Sequence, residues 1–140
     1  MTNFEKCEYW LELSDDDLLT AKTLLQGKRF LHCGYFCHQV IEKAFKAAVA
    51  RNTDEVPPRI HDLPKLGKLG EIWDKMSDNQ KEAVDALAPM QIEARYPAYK
   101  EQIAQTLTPD FCAKMVERTE ALLCWIKQQL EILPQNMPKK

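Results

Sequence analysis

Polar side chains gather on one side of the segment FCHQVIEKAFKAAVARN, which runs from residue 36 to residue 52. A helix turns about 100° per residue, so five of them share one narrow strip: His38, Gln39, Glu42, Lys43 and Lys46. Lysines can neutralise phosphate, whereas imidazole and amide groups can hydrogen-bond a base. The strip indicates a groove that contacts a phosphate or a base. The alternative is a solvated face on which Glu42 and Lys46 form an ordinary i,i+4 ion pair.

A second candidate is the segment EARYPAY, in which Arg95 is followed by Tyr96 and Tyr99. Pro97 fixes the backbone between the two tyrosines and prevents a clean helix through the segment. A guanidinium beside aromatic rings suits a planar anion or a stacked base. The pattern therefore predicts ligand binding by Arg95, Tyr96 and Tyr99. The alternative is that Arg95 caps the preceding helix while Tyr96 packs onto the core.

Two further side chains, His61 and Asp17, are of types that could take part in catalysis or in an ion pair. His61 could shuttle a proton beside Arg95, because imidazole titrates near neutral pH, or it could simply hydrogen-bond backbone in a loop. Asp17 falls beside an apolar stripe and needs a donor, since an unpaired desolvated carboxylate costs several kcal/mol. We expect Asp17 to pair with Lys43.

The remaining patterns exclude several classes of protein. No nucleophile elbow, phosphate-binding P-loop, dinucleotide-binding glycine triplet or zinc-protease motif occurs. Cys33 and Cys37 are one helical turn apart but lack further ligands, so we expect neither a metal nor a cofactor. The five cysteines predict buried, reduced thiols. A net charge of −2 argues against broad binding to a phosphate backbone.

Helical periodicity positions these side chains. Three long helices are predicted over about Phe4–Gln26, about Arg29–Arg51 and from Thr108–Pro109 to about Leu133, with short ones after Asp62 and Ser77. The second helix has an apolar arc about 220° wide, far beyond an ordinary surface helix, so it should be the central one. Trp125 and Ile132 fall on an exposed flank of the last helix.

The predicted architecture is an all-α, up-down bundle of four to five helices. We expect one domain over residues 1–140, with a core over residues 4–133 and a frayed tail over residues 134–140. No stretch has the roughly 20 apolar residues needed to span a bilayer, and the first residues lack the apolar core of a signal peptide. We therefore expect a cytoplasmic protein without a membrane partner.

Four segments together resemble the HEPN family, named for higher eukaryotes and prokaryotes nucleotide-binding. They are DDDLLTAKTLL (residues 15–25), FCHQVIEKAFKAAV (36–49), HDLPKL (61–66) and ARYP (94–97). The resemblance spans roughly residues 11–130, and the Q-x-x-EK and RYP motifs are its more specific parts. It implies a helical bundle, usually a homodimer, often encoded in bacteria beside a minimal nucleotidyltransferase.

The resemblance also implies that some members cleave RNA without a metal, through an arginine followed after four to six residues by a histidine. Here no histidine follows Arg95, and Tyr99, a poor base with a pKa near 10, stands roughly in its place. The first hypothesis is therefore a nucleotide- or RNA-binding module of a toxin–antitoxin-like pair with a nucleotidyltransferase. The alternatives are an endoribonuclease that uses Arg95, Tyr99 and His61, and a purely structural assembly partner.

Overall fold

A computed structural model of the chain describes residues 1–92 and 97–131. These residues form six α-helices: α1 (Asn3–Gln26), α2 (Phe30–Asn52), α3 (Leu63–Leu69), α4 (Asp78–Leu87), α5 (Pro97–Thr106) and α6 (Pro109–Gln129). Two 3-10 turns lie at Trp73–Lys75 and Ala88–Met90, and no described residue is in a strand. The all-α prediction is confirmed.

The ends of the helices follow local chemistry. Ser77 and Gln80 form the predicted capping box of α4, and Asp62 caps α3 by accepting from the Lys65 backbone N–H. Thr108 caps α6 ahead of Pro109 in the same manner. These side chains satisfy backbone donors that lack helical partners, which fixes where each helix begins.

Helix α5 begins at Pro97 and was not among the predicted helices. Proline has no N–H to donate, and the first residue of a helix needs none, so Pro97 can open a helix. The last helix ends at Gln129, with Leu130 as its C-cap, four residues before the predicted end at Leu133. The predicted frayed tail and Ile132 lie outside the described residues.

Helix α2 is the centre of the bundle, as its wide apolar arc predicts. It contacts each of the other five α-helices. Cys37, Ile41, Ala44 and Phe45 on this helix are completely buried. Most of the polar strip must therefore also lie against other parts of the chain.

Gly70 allows the end of α3 to pack closely against α2. A Cβ atom on Gly70 would lie 2.8 Å from Ala48 Cβ and 3.0 Å from the Val49 backbone nitrogen, so only glycine fits without movement. The side-chain amide of Asn52 donates to the Gly70 carbonyl at 2.8 Å. This contact fixes the end of α3 on α2, while the loop before α3 carries His61.

Two surface predictions need correction. Four cysteines are buried, but Cys124 is exposed, because it lies on the outer side of α6. Trp125 is partly buried against the core rather than solvent-exposed. Within the described ranges, no helix is both long and apolar enough to cross a membrane.

Candidate functional site

The polar strip of α2 is divided between two neighbours. Glu42 faces the loop before α3, whereas Lys43, about 100° further around the helix, faces α1. His38, Gln39, Glu42 and Lys46 are buried. The chain itself therefore covers most of the strip, and binding of a ligand by these side chains stays a prediction.

Glu42 is the centre of a buried ionic cluster. Lys46 Nζ lies 3.1 Å from Glu42 Oε2, which confirms the i,i+4 pair, and His61 Nδ1 lies 2.8 Å from Glu42 Oε1. Only 4% of the Glu42 side chain is exposed. Lys46 Nζ also lies 5.6 Å from the centroid of a Trp10 ring. A buried carboxylate needs such partners, because removal from water penalises its charge.

His38 is the most deeply buried member of this cluster. Its Nδ1 is 3.6 Å from Glu42 Oε1, beyond hydrogen-bonding distance, and has no hydrogen-bond partner. Burial lowers the pKa of His38 to about 4, although the Glu42 carboxylate acts in the opposite direction. At neutral pH the imidazole is therefore uncharged, and it contributes no positive charge for a phosphate.

His61 is the surface end of the cluster, with 55% of its side chain exposed. An ionised carboxylate only accepts hydrogen bonds, so Nδ1 of His61 carries the proton that it shares with Glu42. In the neutral form of an imidazole with this tautomer, the lone pair is on Nε2. A histidine oriented by a buried carboxylate is the arrangement that general bases use. The loop-histidine alternative was wrong about the partner, which is the Glu42 side chain instead of backbone.

Lys43 pairs with Asp17 of α1, as the sequence predicts. About a quarter of the Lys43 side chain remains exposed. Both lysines of the strip thus already have a carboxylate partner, Asp17 or Glu42. A phosphate that approached Lys43 would compete with Asp17 for the ammonium group.

The structure describes only part of the second candidate segment, EARYPAY. Arg95 and Tyr96 lie outside the described residues. Tyr99 lies on α5 and is half-buried, and α5 contacts α2. The convergence of these side chains with the strip stays a prediction.

The described cysteines, histidines and carboxylates offer no cluster of three that could hold a metal ion. Burial raises the pKa of Cys7 and of Cys112 to about 11, so both thiols stay protonated at neutral pH.

Sequence reasoning identified every member of this cluster except Trp10, but it did not predict their burial. The missed signal was the spacing around Glu42, which has His38 and Lys46 one turn away on either side. Burial of such a carboxylate costs less than burial of an unpaired one, because Lys46 compensates its charge.

Comparison with known families agrees with this architecture. A family model described as HEPN domain matches residues 7–129. Neither the curated proteins nor the solved structures contain a match to the chain. The matched region includes all of the residues discussed above as a candidate site, and by that match the chain belongs to the HEPN domain family.

Proposed function

We propose that this protein is a nucleotide- or RNA-binding module that works with a minimal nucleotidyltransferase in a toxin–antitoxin-like pair. Membership of the HEPN family supports a role connected with nucleotides or RNA. The resemblance of the sequence motifs to the family supports the nucleotidyltransferase partner and the homodimer, and the lack of a sufficiently apolar stretch supports the cytoplasmic location. Each of these finer assignments is part of the proposal.

The observation that carries the proposal is the exposed imidazole of His61 held by the buried carboxylate of Glu42. Side chains oriented by a buried partner lose little further entropy when a ligand arrives, which favours binding. Exposed surface histidines without such a partner have no fixed direction. His61 is therefore the best-prepared contact for a ligand on this side of the bundle.

The accessible groups define how a ligand would approach. Lys43 is partly exposed and Tyr99 is half-buried, whereas His38, Gln39 and Glu42 are covered. We infer that a nucleotide or RNA contacts His61, Lys43 and Tyr99 directly, together with Arg95 and Tyr96. The buried members of the strip then act by holding His61.

Titration calorimetry with nucleotides and short single-stranded RNAs tests the proposal. Saturable binding that weakens at least tenfold in His61→Ala and Arg95→Ala is expected, while Lys75→Ala, an exposed lysine elsewhere, should bind as the wild type does. Absence of nucleotide binding at millimolar concentration would overturn the small-molecule version, and absence of both nucleotide and RNA binding would overturn the proposal as a whole.

The His61–Glu42 geometry favours one second candidate, a metal-independent endoribonuclease. His61 Nε2 would take the proton from a ribose 2′-hydroxyl, whose oxygen attacks the adjacent phosphorus. The bond from phosphorus to the 5′-oxygen then breaks, and that oxygen takes a proton from water. The products are a 2′,3′-cyclic phosphate and a 5′-hydroxyl, and Arg95 would stabilise the charge on the phosphate.

RNA cleavage in the presence of a metal chelator tests this candidate. Activity should disappear in His61→Gln and Arg95→Ala but persist in Lys75→Ala, with circular dichroism showing that the variants remain folded. Cleavage that survives His61→Gln would eliminate His61 as the base.

A further inference from the structure

A second accessible feature lies between α4 and α6 and shares no lining residue with the site at His61. It is a largely apolar groove with a cavity volume of about 80 Å³. The residues that define it are Ala83, Leu87, Phe111, Lys114, Met115 and Arg118. None of them belongs to the cluster around Glu42.

The groove exposes apolar surface that the bundle does not use. Phe111 is 46% exposed, although it is a large aromatic side chain on a regular helix. Ala83 on the facing helix is small, which leaves room for another backbone to approach. Exposed aromatic surface beside a concave apolar wall is typical of protein interfaces.

The charged groups that line the groove are both cations. Lys114 and Arg118 are four residues apart on α6, so they lie on the same side of the helix. Within the described ranges neither forms an ion pair; Arg118 only donates weakly to the Asn79 carbonyl, at 3.4 Å. This differs from Lys43 and Lys46, which already have carboxylate partners.

The groove is long enough for a helix. A second hollow, lined in part by Gln80, Ala121 and Arg118, continues it along the same two helices. From Phe111 to Ala121 the groove follows α6 for about 15 Å, which is nearly three helical turns. Apolar residues spaced at i, i+3, i+7 and i+10 on a partner helix would cover that length.

We propose that this groove binds an amphipathic helix of a partner protein, with apolar side chains in the groove and carboxylates paired to Lys114 and Arg118. An RNA strand fits less well, because the floor of the groove is aliphatic and the lining offers only these two cations. The proposal does not depend on nucleotide binding, since the groove shares no residue with the His61 site.

Two synthetic helical peptides provide the test. Both carry the same leucines at i, i+3, i+7 and i+10; one has glutamates beside them and the other has lysines at the same positions. The glutamate peptide should bind the full chain about tenfold more tightly in fluorescence anisotropy, since two partly exposed ion pairs replace two repulsions. Equal binding of the two peptides, or no binding of either, would overturn the proposal.

Charge-reversal variants locate the interaction. Lys114→Glu combined with Arg118→Glu should reverse the preference, so that the lysine peptide binds more tightly, whereas Lys75→Glu should leave the preference unchanged. Ala83→Trp fills the groove and should abolish binding of both peptides while circular dichroism remains that of the wild type. If the double charge-reversal variant still prefers the glutamate peptide, the peptide binds elsewhere and the assignment to this groove is wrong.

Light scattering decides between a foreign helix and a second copy of the chain. If the groove is free until a partner helix binds, as proposed, Phe111→Lys should leave the oligomeric state unchanged. If Phe111→Lys instead converts an oligomer to a monomer, the groove is an interface between copies, and the proposal of a partner helix is wrong.

Discussion

Glu42 is the residue on which the buried polar cluster depends. Its two carboxylate oxygens accept from Lys46 and His61, and neither donor pairs with another carboxylate among the described residues. A buried pair adds little net stability over an apolar pair, but the loss of one partner leaves the other charge uncompensated. Replacing one member of the cluster should therefore lower the stability of the fold more than replacing all of its members by apolar residues.

Replacing Glu42 by alanine should destabilise the fold by about 3 kcal/mol, because Lys46 would remain desolvated without its partner. Urea unfolding followed by circular dichroism measures the change. The matched control is Glu8→Ala, an exposed α1 glutamate, which should change stability by less than about 0.5 kcal/mol. Equal effects of the two substitutions would contradict the role of Glu42.

His38 should make stability depend on pH. Its pKa is about 4 in the folded chain and 6.5 when unfolded, so the unfolded chain binds the proton first as pH falls. Stability is complete above about pH 6.5 and is lost as pH falls toward 4, with His38 accounting for about 2 kcal/mol between pH 7 and pH 4.5. Urea midpoints at the two pH values should differ less in His38→Gln than in the wild type.

At the scale of the helices, local signals and long-range packing differ in how far they could be predicted. The caps at Ser77, Asp62 and Thr108 involve side chains within three residues of their acceptors or donors, so the sequence alone indicates them. Helix α5 was missed because proline is compatible both with a break and with a first helical turn. The burial of the strip depends on where the loop before α3 meets α2, which no local pattern specifies.

The contact between α3 and α2 can be tested at Gly70. A methyl group there would lie 2.8 Å from Ala48 Cβ and 3.0 Å from backbone, so Gly70→Ala should destabilise the fold by about 1–3 kcal/mol. Gly27→Ala is the control, because its nearest neighbour would be 3.5 Å away and its φ is −79°. That substitution should be neutral or slightly stabilising in the same unfolding measurement.

For the molecule as a whole, charge compensation limits the binding of polyanions. The net charge is −2, and Lys43 is held by Asp17. The HEPN assignment and the helical architecture could be predicted from the sequence, because motif order and periodicity are linear properties. Whether each lysine or arginine is free to bind a ligand could not be predicted, because this depends on which carboxylates the fold places beside it.

Salt dependence tests this view of the surface. If RNA binds at His61 and Lys43, few counterions are released, so log K should fall with log salt with a slope of about −1 to −2. Asp17→Asn frees Lys43 and should tighten RNA binding severalfold while making the slope steeper. A slope unaffected by Asp17→Asn would show that Lys43 does not contact the ligand.

The stacking of Lys46 on Trp10 gives the protein an internal optical reporter. The indole of Trp10 contacts Lys46, which pairs with Glu42, and Glu42 in turn bonds the imidazole of His61. Binding of a ligand to His61 should therefore change the electric field at the Trp10 indole, although the ligand does not touch it. Substitution of Trp73 and Trp125 by phenylalanine leaves Trp10 as the single tryptophan, which can be excited selectively at wavelengths that tyrosine does not absorb. Its emission wavelength then follows occupancy of His61 without any attached dye.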